Sequence, residues 1–282
     1  MNAAEPFLDA VVTAARRLPA TRCAGAAMQE DSELVAEEVP VAFSYNGISH
    51  AVMLASPLDL EDFALGFTLG ERIVDDAREV YDIEFKHTAR GIAVEMRIAS
   101  AAMARLKETR RARLGKTGCG LCGVDSLEYF EQAACLPPAA GEAASLAVFD
   151  GAALHRALAA LAARQTLHQA TGAVHAAGWA APDGTLLCLR EDIGRHNALD
   201  KLVGALTRAG TDVDDGFAVV TSRASFEMVQ KAARAGIGLL AAVSAPTALA
   251  VRMAEGAGLT LAGFVRGGRH VVYSHPQRLR NA

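Results

Sequence analysis

Two cysteines separated by two residues sit among three glycines in Gly118-Cys119-Gly120-Leu121-Cys122-Gly123. A thiol is a committed nucleophile, and glycine neighbours give it little steric cover. Between Arg105 and Lys116 the chain carries six cationic side chains against the single acid Glu108. Positive potential and free backbone N–H groups both favour thiolate over thiol, so a lowered thiol pKa is expected there. Sulfur chemistry is the first reading.

Three others compete with it. The hexamer also fits G-x-G-x-x-G, but that fingerprint needs a hydrophobic strand in front, and Lys107 to Lys116 is far too charged for one. Structural zinc needs further ligands at a recognisable spacing. Cys23, Cys135 and Cys188 are isolated, and the sequence has neither a second C-x-x-C nor paired histidines. A thioredoxin-like redox pair opens a helix directly after a strand, whereas the flanking glycines suggest a mobile loop.

Three polar clusters follow in the second half, each where a strand is expected to end. Glu191-Asp192-Ile193-Gly194-Arg195-His196-Asn197 holds two acids, a guanidinium, an imidazole and an amide. The plain reading makes Asp192 a helix cap and turns Glu191 and Asn197 to solvent. Arg195 and His196 at a helix N-terminus oppose its dipole, which an anionic ligand or a carboxylate partner would resolve. Thr221-Ser222-Arg223-Ala224-Ser225 offers hydroxyls, a guanidinium and a helix start that suit a phosphate, with simple capping by Ser225 as the alternative. In Gly263-Phe264-Val265-Arg266-Gly267-Gly268-Arg269 two arginines flank a Gly-Gly turn beside an aromatic. Arginine suits phosphate or a guanine edge, and an aromatic can stack on a base; an ordinary hairpin turn with solvated arginines is the alternative.

The elements that must position these groups read as α/β. The chain has 282 residues, 51% of them hydrophobic, with few aromatics, which suits helices packed on a sheet. A net charge of −4 gives no reason to expect general nucleic-acid binding. No apolar run reaches the roughly 18 residues of a membrane span. Five cysteines at irregular spacing argue against a secreted disulfide scaffold and for a reducing cytoplasm.

Residues 1–30 show little periodicity and are expected to be poorly ordered. Residues 31–113 read as an α+β unit: alternating strands from Val39 to Tyr45 and Ile48 to Leu54 around Asn46-Gly47, a helix capped by Ser56 with Pro57 in its first turn, and strands near Tyr81–Lys86 and Ile92–Ile98. Residues 114–145 hold the cysteine loop and a Pro-rich linker. Residues 146–282 alternate strand and helix, starting with an Asp150-capped helix that reaches about Leu167, and imply a layered α/β domain with a largely parallel centre. A zinc deaminase shares such layers but needs H-x-E and P-C-x-x-C helices. His175-Ala176-Ala177 lacks the glutamate, and no proline precedes Cys119.

Together, Cys119 to Gly123, the run Arg190 to Leu202, Ser222-Arg223 and the terminal Gly263 to Pro276 resemble the formate dehydrogenase accessory sulfurtransferase family. The likeness runs from about Glu38 onward. It implies a cytidine-deaminase-like α/β domain without zinc ligands, and no resident metal. It also implies a cytoplasmic homodimer that accepts persulfide sulfur from a cysteine desulfurase on Cys119, with Cys122 as the supporting cysteine. The sulfur's implied destination is the molybdenum or tungsten bis(guanine dinucleotide) cofactor of formate dehydrogenase. Phe264, Val265, Arg266, Gly267, Gly268 and Arg269 match the family's cofactor-holding segment. Arg195, His196, Ser222 and Arg223 are further candidates on the residue reading. A dithiol–disulfide oxidoreductase and a non-catalytic chaperone that holds the cofactor remain as alternatives.

Overall fold

The computed structural model describes residues 13–112 and 148–280. Two strands, β1 (Ala15–Ala24) and β2 (Ala27–Ala36), pair antiparallel about a turn at Gly25, whose φ of 62° suits glycine. Residues 15–30 are therefore a paired ribbon, not the ill-ordered stretch expected. Both of its faces are largely exposed, so no alternation of apolar residues announced it.

The strands of the next unit follow their sequence pattern. Strands β3 (Val39–Tyr45) and β4 (Ile48–Ala55) close over Asn46-Gly47, both at positive φ, the conformation a two-residue hairpin turn requires. With β5 (Val80–Thr88) and β6 (Gly91–Ile98) they form a sheet ordered β4-β3-β6-β5. Helices α1 (Leu60–Gly70) and α2 (Ser100–Ala112) accompany this sheet. Alternate residues Val41, Phe43, Tyr45, Val94, Met96 and Ile98 pack on Phe63, Phe67, Met103 and Leu106, and the Phe43 and Phe67 rings stack 4.6 Å apart. The segment opening at Arg105 reads in sequence only as basic; its start belongs to α2.

Ser56 does not cap α1. The helix starts at Leu60, preceded by Asp59 in a left-handed conformation with no side-chain cap. Ser56 is committed elsewhere, to the second unit.

That unit begins with β7 (Phe149–Asp150), α3 (Gly151–Arg164) and α4 (Thr166–Thr171). Asp150 caps α3 as expected, accepting from Ala152 N–H at 3.0 Å, but the helix breaks at Gln165 instead of running through to Leu167. Then follow β8 (His175–Ala180), β9 (Leu186–Asp192), α5 (Arg195–Ala209), β10 (Phe217–Val220), α6 (Phe226–Arg234), β11 (Leu239–Ala242), α7 (Ala248–Gly256), β12 (Thr260–Arg266), β13 (Arg269–Ser274) and β14 (Leu279–Arg280). The six-stranded sheet is ordered β13-β12-β11-β10-β8-β9, with β10, β11 and β12 mutually parallel. Period-two alternation splits its core into two layers. Ala218, Val220, Leu240 and Leu261 pack beneath α5, α6 and α7, while Phe217, Val219, Leu239 and Ala262 pack against α3.

The two units meet where α1 crosses α5. A Cβ on Gly66 would lie 1.8 Å from the Asp200 carbonyl oxygen, and one on Gly204 would lie 1.9 Å from that of Asp62. Only glycine lets these backbones touch.

Candidate functional site

Strand β8 runs antiparallel to both β9 and β10, so β9, β10, β11 and β12 all end on one edge of the sheet. Helices α5, α6 and α7 start there. Their N-termini bring partial positive charge and unsatisfied N–H groups to one side of the molecule. The loops along this edge are tied in series. Thr221 Oγ1 accepts from Ala176 N–H at 2.9 Å, Thr247 N–H donates to Ala224 O at 3.2 Å, and Phe264 N–H donates to Ser244 O at 3.2 Å. The three polar clusters legible in the sequence thus lie along a single cationic rim.

Their members differ in what they offer. Arg223, Arg266 and Arg269 are exposed. Gly267 and Gly268 both take positive φ, and Arg266 pairs with Arg269 across them, so the expected hairpin turn is present with both guanidinium groups at its shoulders. Phe264 has φ of 53°, a conformation that is an outlier for a bulky residue. The residue is 38% exposed, with the Arg266 guanidinium 5.8 Å from its ring centroid. Val265 is buried against the α3 layer and presents no side chain to the rim. Ser222 is also buried and donates to the Arg223 carbonyl, so its hydroxyl is not the free phosphate donor its position suggests.

At the start of α5 the conflict between cation and dipole is met in two ways. His196 Nε2 lies 2.8 Å from a Glu227 carboxylate oxygen in the first turn of α6. Arg195 keeps a buried Nε with no hydrogen-bond partner among the described residues. Neither helix has a side-chain cap: Gly194 precedes α5, and Ser225 precedes α6 with its hydroxyl 3.5 Å from His196. A further contributor is His175, at the start of β8, which the sequence raises only in setting aside a zinc deaminase. Burial, then the neighbouring Arg195 charge, holds its imidazole below the ordinary histidine value.

The remaining polar residues of the first cluster do not face solvent, and Asp192 and Asn197 join the two units. Glu191 is buried and accepts from the N–H groups of Leu167 and His168, both at 2.9 Å, capping α4. Asp192 is wholly buried. It accepts from Ser56 N–H at 3.0 Å and Gly194 N–H at 2.8 Å and pairs with Lys201. It therefore does not cap α5 as the plain reading had it. Asn197 donates to Leu54 O at 2.8 Å and to Asp192 at 2.9 Å. Ser56 and Leu54 lie more than 130 residues away, a separation that no local pattern reveals.

A cavity of about 860 Å³ lies at the opposite end of the sheet, lined by Gly216, Gly238 and Leu259 at the starts of β10, β11 and β12 and by Phe149 and Lys231. It is far from the arginine rim, and helix C-termini surround it. Lys231 is committed to Asp200 at 2.9 Å and Glu71 at 3.1 Å. Arg72, Arg234 and Arg278 also line the cavity, with Arg72 paired to Asp75 and the other two donating to the Gly70 and Gly238 carbonyls. The exposed arginines and uncapped helix starts place the candidate site at the rim instead.

Cys119, Cys122 and Cys135 lie outside the described residues. Of the two described cysteines, Cys23 is exposed, and burial pushes the Cys188 thiol up, away from reactivity. Arg105, one of the six cations upstream of Cys119, spends its charge on Asp75 at 3.1 Å and Glu79 at 3.2 Å.

Residues 36–280 match the model of the FdhD/NarQ family. The chain belongs to that family. Its relatives include proteins named "Sulfur carrier protein FdhD". That of Cupriavidus necator is 60% identical over 247 residues, covering 88% of this chain and 84% of the relative. That of Bordetella petrii is 56% identical over 257 residues, covering 91% and 89%. Among solved structures, one assigned as a formate dehydrogenase accessory protein from Desulfotalea psychrophila superposes with a TM-score of 0.74 at 23% identity, over 95% of this chain and all of that one. At that identity the likeness speaks for the mixed α/β fold alone. Among the described residues no helix is long and apolar enough to cross a membrane.

Proposed function

We propose that this protein is a cytoplasmic sulfur carrier. It takes persulfide sulfur from a cysteine desulfurase on Cys119 and delivers it to the molybdenum bis(molybdopterin guanine dinucleotide) cofactor required by formate dehydrogenase. The observation that carries this reading is family membership across residues 36–280, with relatives above half identity named sulfur carriers. The cationic rim supports the cargo half of it. Arg266 and Arg269 at the Gly-Gly turn, exposed Arg223, and two uncapped helix N-termini suit a pyrophosphate. Phe264, strained and half-exposed, offers a face for guanine. Strain of this kind, about 1–3 kcal/mol, is found where function maintains it.

The chemistry proceeds in two displacements. The Cys119 thiolate attacks the terminal sulfur of the donor's persulfide. The donor's S–S bond breaks, its cysteine leaves as thiolate, and Cys119 becomes the persulfide. Attack by the Cys122 thiolate on the Cys119 sulfur then displaces hydrosulfide toward the cofactor and leaves a Cys119–Cys122 disulfide, which a cellular thiol reduces before the next round. Low thiol pKa speeds the first step by raising the thiolate fraction at neutral pH. The same reading carries a homodimer.

Mass spectrometry after incubation with cysteine and a desulfurase tests it: a sulfur-mass adduct maps to Cys119 and disappears in Cys119→Ala. An adduct that survives the substitution, or none at all, overturns it. Insulin reduction lost on either cysteine substitution would instead indicate a dithiol oxidoreductase. Client activation retained by Cys119→Ala but lost on changing Arg266 or Arg269 would indicate a cofactor-holding chaperone.

A further inference from the structure

The fold brings together two histidines that are 115 residues apart in sequence. His155 on α3 and His270 on β13 face each other with Nε2 of the first 3.2 Å from Nδ1 of the second. Their rings are tilted by 50°, with centroids 5.4 Å apart. Both are half-buried and stand on regular elements. Burial, then the neighbouring His270, holds the His155 imidazole below the ordinary histidine value, and no carboxylate contributes. A metal ion needs a neutral imidazole.

We propose that His155 and His270 form a binding site for a borderline divalent transition ion of the copper, nickel or zinc class. The ion is held by Nε2 of His155 and Nδ1 of His270, with water completing its shell. Metal–nitrogen bonds of about 2.0–2.1 Å place two ligating nitrogens roughly 2.9–3.4 Å apart for angles between square and tetrahedral. The observed 3.2 Å separation falls inside that range. It is also at the long limit for an N–H···N hydrogen bond. Each neutral ring carries one N–H and one lone pair. Binding shifts the single interposed proton to the outer nitrogen of its own ring, and no net proton is released. Among the described residues no group of three or more ligating side chains surrounds one point, so the site is a two-ligand one of modest affinity. The bound ion ties α3 to the strand that leaves the Arg266–Arg269 turn, and the proposal does not depend on the sulfur-carrier reading.

The test uses the tag-free full-length chain with its thiols alkylated, titrated with Cu²⁺ and followed by electron paramagnetic resonance. One equivalent bound with hyperfine structure from two imidazole nitrogens is expected. His155→Gln and His270→Gln should each weaken binding by roughly tenfold or more and abolish the two-nitrogen pattern, while exposed His87→Gln leaves it intact. In the unsubstituted protein, Zn²⁺ should shift the ring ¹⁵N resonances of both histidines together, a readout that needs no variant to fold. No stoichiometric binding, a one-nitrogen pattern, or a signal that survives both substitutions overturns the site.

Discussion

The ammonium nitrogen of Lys201 lies 2.7 Å from a carboxylate oxygen of Asp192, and neither side chain reaches solvent. The same ammonium donates to the Ser56 carbonyl at 3.0 Å, while Asp192 accepts from the Ser56 N–H. Ser56 Oγ in turn accepts from Ile193 N–H at 3.1 Å. One serine from the first unit is thus clasped on three atoms by the strand end and helix that open the cationic rim. A buried ion pair of this kind contributes little net stability beyond an apolar replacement, but breaking it is costly. What it supplies here is a defined placement of one unit on the other.

Removing one partner should therefore be far worse than removing both. Asp192→Ala leaves the Lys201 charge buried and should cost about 3–5 kcal/mol. The double replacement Asp192→Leu with Lys201→Met should recover a large part of that. Urea denaturation of the two single variants and the double one gives the coupling. Additive losses would mean that the two side chains act independently.

The glycines at the crossing of α1 and α5 make a sharper demand. Gly66→Ala and Gly204→Ala each drive a methyl carbon into a backbone oxygen of the facing helix, at 1.8 and 1.9 Å. Neither oxygen can yield without separating the helices. Each substitution should cost about 3 kcal/mol or more, at or beyond the upper end for overpacking. Gly256→Ala, on α7 with open space around its would-be Cβ, should change stability little or raise it. Thermal melts of the three variants measure the contrast.

Phe264 allows the cost of a strained residue to be separated from its use. Phe264→Gly removes the left-handed penalty of about 1–2 kcal/mol and should raise or hold the melting temperature. It should at the same time weaken binding of guanosine diphosphate, measured by calorimetry, because the ring and its contact with Arg266 are lost. Arg266→Ala should weaken binding without a gain in stability. A Phe264→Gly protein that binds the nucleotide as before would leave the strain without a functional account.

How far the sequence reached depended on the range of the interaction that settled each feature. Asn46-Gly47 was legible because its turn demands two positive φ angles, a purely local requirement. The rim clusters were legible because strand–helix alternation puts consecutive strand ends on one edge. Asp192, Asn197 and Ser56 look in sequence like a helix cap, a solvated amide and another cap. Each has a partner in the other unit, and nothing local distinguishes it. The ribbon of Ala15–Ala36 was missed for the opposite reason, since its faces bury so little that no periodicity was imposed. His155 and His270 were each unremarkable until β13 was laid beside α3.

Asp200 supplies a pH dependence whose sign is opposite to that of most carboxylates. It is fully buried beside Lys231 and Glu71, and burial pushes its pKa up from the ordinary 3.8 to about 6. Between those values the folded protein holds a proton that the unfolded chain has released. The unfolded state then binds fewer protons, so stability from this group falls as pH rises from about 4 to about 6 and levels off above. A shift of about two units corresponds to roughly 3 kcal/mol. Lys231 does not reverse this. Burial alone would lower its pKa, but the neighbouring carboxylates, Glu71 among them, outweigh that and hold it above its ordinary value. Denaturation of the wild-type protein and Asp200→Asn at pH 4, 5, 6 and 7 isolates the group. The stability difference between them should move against the wild type up to about pH 6 and then stay constant. A difference that is flat across the series would mean that Asp200 is ionised in the fold at pH 4, held as a carboxylate by the Lys231 ammonium.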